Sequence, residues 1–267
     1  MVGVSIDILG TDTPVIWLSG SASATALAVN LLGIITPVNC VPTDVSDPIV
    51  ANSNKAAIVG ECPTDGSGTG RPIALIWPNA SALPQQLPLP ADAQYCGAEE
   101  VNVNGYVLGT CSYAGDYYQT VRWSYPWTAA PIVLQTLSGM AVPRNGGVDM
   151  NATGQIVGNY LAAGGFTLPY CWDPTATGTA GVSLTALPGG SRAGARAIGN
   201  NGEMVGTSET ASGNSHAFHS LMCAPPTDDG ALPGGSNSSA NGISPSGTTA
   251  VCEVTGLLVH SEVQSPL

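Results

Sequence analysis

The chain has 267 residues, of which 9% are charged, and its 18 acidic against 6 basic residues give a formal net charge of −12. Because no basic stripe is present to neutralise phosphates, this charge excludes nucleic acid and anionic membrane surfaces as partners. With 34 glycines, 21 prolines and 43% apolar residues, the composition favours a packed all-β protein with many turns.

A repeated unit organises the whole chain. An apolar pair followed by glycine recurs with its glycine at positions 10, 60, 109, 158 and 206, so successive copies are 48 to 50 residues apart. A weaker sixth copy covers residues 247–251. Self-similarity at a fixed period of about 49 residues is the signature of a repeat architecture.

The copy at residues 147–190 shows the unit most clearly. Four short strands, which we call a to d, are predicted at residues 147–151, 155–160, 168–172 and 182–187. Turn residues separate them, and the sequence Leu-Pro-Gly-Gly closes the unit at residues 187–190. Short strands with turns between them indicate a four-stranded antiparallel meander.

The turn between strands a and b has consistent chemistry. Asn104-Gly105 and Asn201-Gly202 are the pairs preferred in a two-residue primed turn, which requires positive φ at both positions. Thr153-Gly154 and Ser246-Gly247 keep the glycine. We therefore expect tight a–b turns in most copies.

Two columns of residues recur at fixed places in the unit. Strand c carries a tryptophan column, with Ser220 in its place in the fifth copy; the members are Trp17, Trp77, Trp123 and Trp172. This column is typical of packing between neighbouring sheets. Strand a carries a column of small and polar residues, which fits a crowded axis; its members are Asn102, Asn151, Gly199 and Ser244.

A single four-stranded sheet cannot bury both of its faces, but about six such sheets can do so by packing around an axis. The sequence therefore predicts one β-propeller domain over residues 1–267 with six blades. Five or seven blades, or an open β-solenoid, are the alternatives, and the long period disfavours the solenoid. The first copy begins near strand b and the last ends after strand c.

The most regular copies resemble a known family. The motif consists of Leu-Pro-Gly-Gly (187–190), Ala-x-x-Ile (195–198), Asn-Asn-Gly-x-Met-Val-Gly-Thr-Ser (200–208) and His-Ala-Phe (216–218). It resembles the bacterial "probable extracellular repeat" family with its His-Ala-Phe signature. Copies one and two depart from it, since Ala56 replaces the turn glycine. The resemblance implies a secreted or surface-exposed propeller and carries no common reaction.

The seven cysteines contain no Cys-x-x-Cys pair, so a zinc site is not predicted. Cys40 and Cys96 precede strand a in two copies, and Cys62 and Cys111 stand two residues after the repeat glycine of the same copies. This placement predicts the pairs Cys40–Cys62 and Cys96–Cys111, each stabilising by about 3 kcal/mol. Buried free thiols are the alternative.

No catalytic residue, metal site or cofactor is predicted. His216 and His219 are three apart on a strand, so they point to opposite faces and cannot hold one ion together, while His260 stands alone. The adjacent acids Glu99-Glu100 and Asp228-Asp229 are interpreted as solvated charges. The glycine-rich stretch 65–70 is interpreted as a hairpin loop, and no Gly-x-Ser-x-Gly motif is present.

One aromatic patch is not explained by the repeat. The predicted b–c loop at residues 112–119 carries Tyr113, Asp116, Tyr117 and Tyr118, with Trp127 as a weaker member from the c–d loop on the opposite side. Flat rings and a carboxylate suit stacking on sugars and hydrogen bonding to hydroxyls. Variable loops on a rigid scaffold are where binding residues concentrate.

These observations predict a monomeric, non-enzymatic binding or adhesion module that is secreted or surface-exposed, with a glycan or a surface protein as partner. No apolar stretch is long enough for a membrane helix, and the N-terminus has no positively charged leader. The chain is therefore either intracellular or a mature segment with an added Met, and we expect the second. A polysaccharide hydrolase or lyase on a propeller scaffold is the first alternative. A structural scaffold without a ligand is the second.

Overall fold

Short antiparallel strands form almost all of the regular structure in this computed structural model, which confirms the all-β prediction. The structure describes residues 1–6, 12–18, 21–29, 39–63, 71–221, 223–255 and 261–266. The repeat glycine at position 10, the stretch 65–70 and His260 lie outside these ranges. The chain divides into two units, Met1–Val133 and Leu134–Leu267, and each is described by itself.

Three antiparallel meanders make up the described part of the first unit. The first contains β1 (Val2–Ile6), β2 (Asp12–Ile16) and β3 (Thr25–Ala26); the second contains β4 (Val41–Val45), β5 (Ile58–Pro63), β6 (Pro72–Trp77) and β7 (Gln85–Gln86); the third contains β8 (Ala93–Val101), β9 (Val107–Tyr113), β10 (Tyr117–Trp123) and β11 (Ile132–Val133). A 3₁₀ helix, Val50–Asn52, occupies the a–b connection of the second meander, the copy in which Ala56 replaces the turn glycine.

The second unit has the same organisation in its described residues. Its meanders contain β12 (Met140–Met150), β13 (Ile156–Ala162), β14 (Thr167–Trp172) and β15 (Val182–Ser183); β16 (Ala193–Ile198), β17 (Glu203–Glu209), β18 (Ser215–Leu221) and β19 (Thr227–Gly230); and β20 (Asn237–Ile243), β21 (Thr249–Thr255) and β22 (Ser261–Pro266). Strand d of the 147–190 copy is shorter than predicted, and a short helix, α1 (Pro174–Thr177), lies between its strands c and d. The six-bladed ring and the single domain stay predictions.

A β-bulge at the same place in strand a explains the periodic glycines. The register shifts fall at Pro42/Asp44, Ala98/Glu100, Gly147/Asp149, Ala195/Ala197 and Ala240/Gly242. Opposite four of these bulges lie Gly60, Gly109, Gly158 and Gly206, where a Cβ atom would overlap a backbone carbonyl oxygen of strand a. The bulge brings the two backbones too close for any side chain at this position.

Three of the four tryptophans in the strand c column are buried, as predicted, whereas Trp17 is only partly buried. Trp77, Trp123 and Trp172 are each at most 1% exposed. The indole N–H of Trp77 donates to the carbonyl of Ala28 (2.6 Å), and that of Trp123 donates to the carbonyl of Pro88 (2.8 Å). Both acceptors lie two residues beyond strand d of the preceding meander, so each indole fastens one sheet to the next.

The a–b turns differ from the prediction. The amide of Gly105 donates a hydrogen bond to the carbonyl of Asn102, and the amide of Gly202 donates to the carbonyl of Gly199. Each turn is a three-residue loop in which only the glycine has a positive φ, 77° at Gly105 and 85° at Gly202. This is a type I turn followed by a left-handed residue, and not a two-residue primed turn. The side-chain oxygen of Asn102 accepts from the amides of Asn104 and Tyr106 (3.0 Å each).

Polar side chains of strand a also join successive meanders of the second unit. The Asn151 Nδ2 donates to the carbonyl of Gly199 (3.0 Å), and the Asp149 carboxylate accepts from the amide of Ile198 (2.8 Å). In the first unit, Asp44 accepts from the amide of Val101 in the same way (2.9 Å). These side chains therefore set the spacing between sheets as well as the turn geometry.

We predict that Gly206→Ala lowers the free energy of unfolding by ~1–3 kcal/mol, the usual range for overpacking a filled site. Its new methyl group would overlap the Gly194 carbonyl oxygen and lie 2.8 Å from the Phe218 ring. Gly242→Ala, on strand β20 with open space around its Cα, is the matched control. Equal urea midpoints for the two variants would contradict this explanation of the repeat glycine.

Candidate functional site

The aromatic patch lies at the tip of the β9–β10 hairpin and not in a long loop. The strands extend through Tyr113 and Tyr117, which are opposite each other in the register. Three residues connect them, and Gly115 and Asp116 both have positive φ, 85° and 60°. Glycine adopts this conformation freely and aspartate tolerates it better than most residues, so the predicted loop at residues 112–119 folds into a tight, ordered hairpin.

This hairpin separates the predicted tyrosines into two groups. Tyr113 and Tyr117 share one face because they are opposite each other, whereas Tyr118 pairs with Ser112 and points to the other face. Tyr117 and Tyr118 are 38% and 40% exposed, and Tyr113 is half-buried against the core. The site therefore brings together Tyr113 and Tyr117 and leaves Tyr118 apart.

Acidic side chains lie beside the tyrosine pair. Asp116 is exposed in the hairpin turn, and Asp92, also exposed, immediately precedes β8. Burial, and then the nearby charge of Asp92, raise the pKa of the Tyr113 hydroxyl, so this group stays protonated as a donor at neutral pH. No local sequence pattern points to Asp92, because only the register brings β8 against β9.

Disulfides join strand a to strand b near the tip of this hairpin and at the equivalent place in the second meander. Cys96 and Cys111 are bonded directly across strands a and b, with their Cα atoms 4.0 Å apart. Cys40 and Cys62 are bonded at the equivalent place, with 4.2 Å between their Cα atoms. These are the two pairs that the cysteine positions in the sequence predict, although Cys96 lies within strand a and not before it.

Trp127 is not part of the ligand-binding aromatic patch in which the sequence predicts it. It is 3% exposed, and its indole N–H donates to the carbonyl of Gly105 (2.9 Å). Tyr125 packs edge-on against it, with 4.9 Å between ring centroids. Trp127 thus anchors the a–b turn of its own meander, and burial removes it from any ligand surface.

The two histidines of the signature motif each pair with a different aspartate. His216 Nδ1 lies 2.8 Å from Asp228, and His219 Nδ1 lies 2.6 Å from Asp229, so Asp228 and Asp229 are partners of imidazoles and not simple solvated charges. No serine, threonine or cysteine side chain bonds either imidazole in the described ranges. Nor do the described residues contain a cluster of three groups able to hold a metal ion.

A pair of carboxyl groups lies between the second and third meanders of the first unit. Glu61 projects from β5 towards β8, and burial raises its pKa. Glu99 lies at the bulge of β8. Loss of water around its carboxyl group raises its pKa most; the hydrogen bond from the Thr110 hydroxyl lowers the pKa, and the nearby charge of Glu61 raises it further. Both groups thus bind protons more readily than free glutamates.

A third disulfide, Cys171–Cys223, joins two meanders of the second unit. It borders an apolar cavity of about 50 Å³ with Trp172 and Met204, a space too small for a sugar ring. Cys252 is the one cysteine without a disulfide, and burial raises the pKa of its thiol. It occupies the repeat-glycine position of the last meander, opposite Ala240.

Among the described residues, no helix is long and apolar enough to cross a membrane. No protein-family model matches the sequence, and no curated protein matches it. Similarity to solved structures is found at the level of the fold. A puromycin hydrolase (S511A mutant, in complex with PGG) aligns with 96% of this chain at 13% identity and a TM-score of 0.58, and the chain spans 40% of that protein's length.

Two further structures align at lower similarity. TolB from Acinetobacter baumannii is 10% identical over 96% of this chain and 60% of its own, with a TM-score of 0.49. A Trypanosoma rangeli sialidase is 11% identical over 95% of this chain and 49% of its own, with a TM-score of 0.41. The chain therefore has an all-β fold of repeated antiparallel meanders that is similar to the folds of β-propeller-type proteins.

Proposed function

We propose that this chain is a non-enzymatic carbohydrate-binding or adhesion module of the propeller type, and that Tyr113 and Tyr117 are its ligand contacts. The observation that carries the proposal is that the hairpin register places both rings on one face, with Tyr117 exposed at the tip. Asp92 lies near Tyr113, and Asp116 is exposed in the turn next to Tyr117. Aromatic rings offer a flat apolar surface to a sugar face, and carboxylates accept hydrogen bonds from its hydroxyls.

Rigidity of the hairpin supports this function. The Cys96–Cys111 disulfide closes strand a onto strand b two residues before Tyr113. The Tyr117 ring lies over Gly115, 3.3 Å from the position of a Cβ atom there. A surface held in its binding conformation loses little entropy when a ligand arrives, which favours affinity.

The three disulfides support a location outside the cytoplasm, because such bonds persist in oxidising compartments. The resemblance of residues 187–218 to a bacterial extracellular repeat family points the same way. A secreted or surface-exposed monomer that meets a glycan or a surface protein is the setting that we propose.

We predict that Tyr117→Ala weakens binding to neutral oligosaccharides by roughly tenfold or more, as for exposed aromatic residues that a ligand covers on binding. Tyr118→Ala is the matched control, because Tyr118 is adjacent, equally exposed and on the opposite face. The measurement is titration calorimetry on ligands selected from a glycan array, with melting temperatures recorded for both variants. Equal losses in the two variants, or no array binding at all, would count against the proposal.

A polysaccharide-acting hydrolase is a second candidate, favoured by the Glu61–Glu99 pair. Glycosidases use two carboxyl groups, and one of them keeps its proton because its pKa is raised. Glu61 and Glu99 are near enough to raise the pKa of Glu99, and that direction is the one a general acid requires. Release of reducing ends from a polysaccharide panel, lost in Glu99→Gln, would favour this candidate over the binding module.

The same pair predicts a pH dependence of stability. A raised pKa means that Glu99 keeps its proton in the folded state above pH 4.5. The contribution of protonated Glu99 to folding stability is therefore complete below that pH and is lost as pH rises through the raised pKa. We expect Glu99→Gln to raise the melting temperature at pH 7 and to change it little at pH 4. Glu99 remains exposed on the surface, so solvent screening limits the size of this gain.

Glu209→Gln provides a control of opposite sign. The Ser191 hydroxyl and amide bond the Glu209 carboxylate and lower its pKa, so ionisation of Glu209 favours the folded state above its ordinary pKa. We therefore expect Glu209→Gln to lower the melting temperature at pH 7. A pH profile of Glu99→Gln parallel to that of the unmodified chain would show that Glu99 titrates normally.

A further inference from the structure

A polar cleft of about 460 Å³ opens in the second unit, beside the b–c ends of β13–β14 and β17–β18. Arg192, Arg196, Thr167, Thr207, Ser215 and Glu209 are among the residues that line it. Its size falls within the range of small-ligand sites, roughly 300–1,000 Å³. None of these residues was singled out from the sequence as a binding residue, because the cleft exists only where the strands of two successive meanders meet.

The walls of the cleft are fixed by hydrogen bonds. Asn159 Oδ1 accepts from the Ala195 amide (2.8 Å), and its Nδ2 donates to the Ala195 carbonyl (3.3 Å). These two hydrogen bonds from one side chain to the backbone of one residue hold β13 against β16. The Ser208 hydroxyl accepts from the Leu187 amide (2.8 Å) and secures the connection that leads into β16. The cleft is therefore built into the fold and does not depend on a mobile loop.

Two arginines line this cleft, and Arg192 is near enough to the Glu209 carboxylate to contribute to lowering its pKa. Among the described residues, no carboxylate lies within ion-pair distance of Arg192 or Arg196. They are two of only six basic residues in a chain of net charge −12. Arg192 lies over the Phe166 ring, 5.0 Å from its centroid, which positions its guanidinium at the cleft wall. Arg196 is the exposed bulge residue of β16.

One carboxylate, that of Glu209, also lines the cleft. The Ser191 amide (2.9 Å) and hydroxyl (2.5 Å) hold it, and these bonds lower its pKa so that it stays ionised. Two guanidinium groups and one carboxylate give this cleft a net positive charge, although the protein as a whole is acidic. The hydroxyls of Thr167 and Thr207 make no hydrogen bond to any described residue, so both are available to a ligand.

We propose that this cleft binds a carboxylate-bearing sugar, such as a uronate residue of an acidic polysaccharide. The planar fork of an arginine matches a carboxylate in a two-point contact. The threonine and serine hydroxyls and the Glu209 carboxylate suit the hydroxyls of the same sugar. The site is separate from the tyrosine hairpin, lies in the other unit and takes a charged ligand, so it goes beyond the neutral glycan contact proposed above.

The test is titration calorimetry with short oligogalacturonates and with their fully methyl-esterified forms, in which each carboxylate is replaced by an uncharged methyl ester. We expect the acid to bind, the ester to bind at least tenfold more weakly, and Arg196→Gln to weaken binding of the acid roughly ten- to a hundredfold. Added salt should weaken binding of the acid, because the contact is between charges. Lys55→Gln removes the same charge outside the cleft and should leave the affinity unchanged.

Several outcomes would overturn the assignment. Equal affinity for acid and ester, or an equal effect of Lys55→Gln and Arg196→Gln, would show that no specific carboxylate contact exists. Loss of uronate binding in Tyr117→Ala would place the ligand on the hairpin instead. Binding of peptides with a free C-terminal carboxylate, without any uronate binding, would make the partner a protein and refute the sugar.

Discussion

The close approach of strand a to strand b at the bulge is the constraint on which each meander depends. At Gly60, Gly109, Gly158 and Gly206 the carbonyl of the bulged strand occupies the place of a side chain. Aromatic rings of strand c close the other side of Gly109, Gly158 and Gly206. The repeat therefore keeps glycine for lack of space, and not for a left-handed backbone.

Contacts between successive meanders use a small set of side chains placed one period apart. Indole N–H groups and the carboxylates of Asp44 and Asp149 each bond a backbone group of a neighbouring sheet. A buried backbone group that lacks a hydrogen-bond partner is costly, so these bonds specify the spacing between the sheets. The net stabilisation from each hydrogen bond is small, so apolar packing provides most of the stability. A rigid scaffold results, on which the strand ends can vary.

Both proposed binding surfaces lie at the b–c ends of their meanders, where the sequence varies most between copies. At the third meander the tip carries Tyr113 and Tyr117, and at the fourth and fifth the equivalent region forms the arginine cleft. The other end is occupied by the a–b turns, whose asparagines are used in hydrogen bonds to the backbone. This division between a structural end and a variable end follows from the turn chemistry of the repeat.

The sequence by itself determined the period, the all-β class, the glycine and tryptophan columns and two of the three cysteine pairs, because each of these repeats with the spacing of the strands. Only the tertiary structure decided what each column does. It showed that the a–b loops have three residues, that Trp127 is buried, and that Tyr117 and Tyr118 face apart. It also brought Asp92 to Tyr113 and Arg196 to Thr167, because register and sheet packing join residues that no local pattern relates.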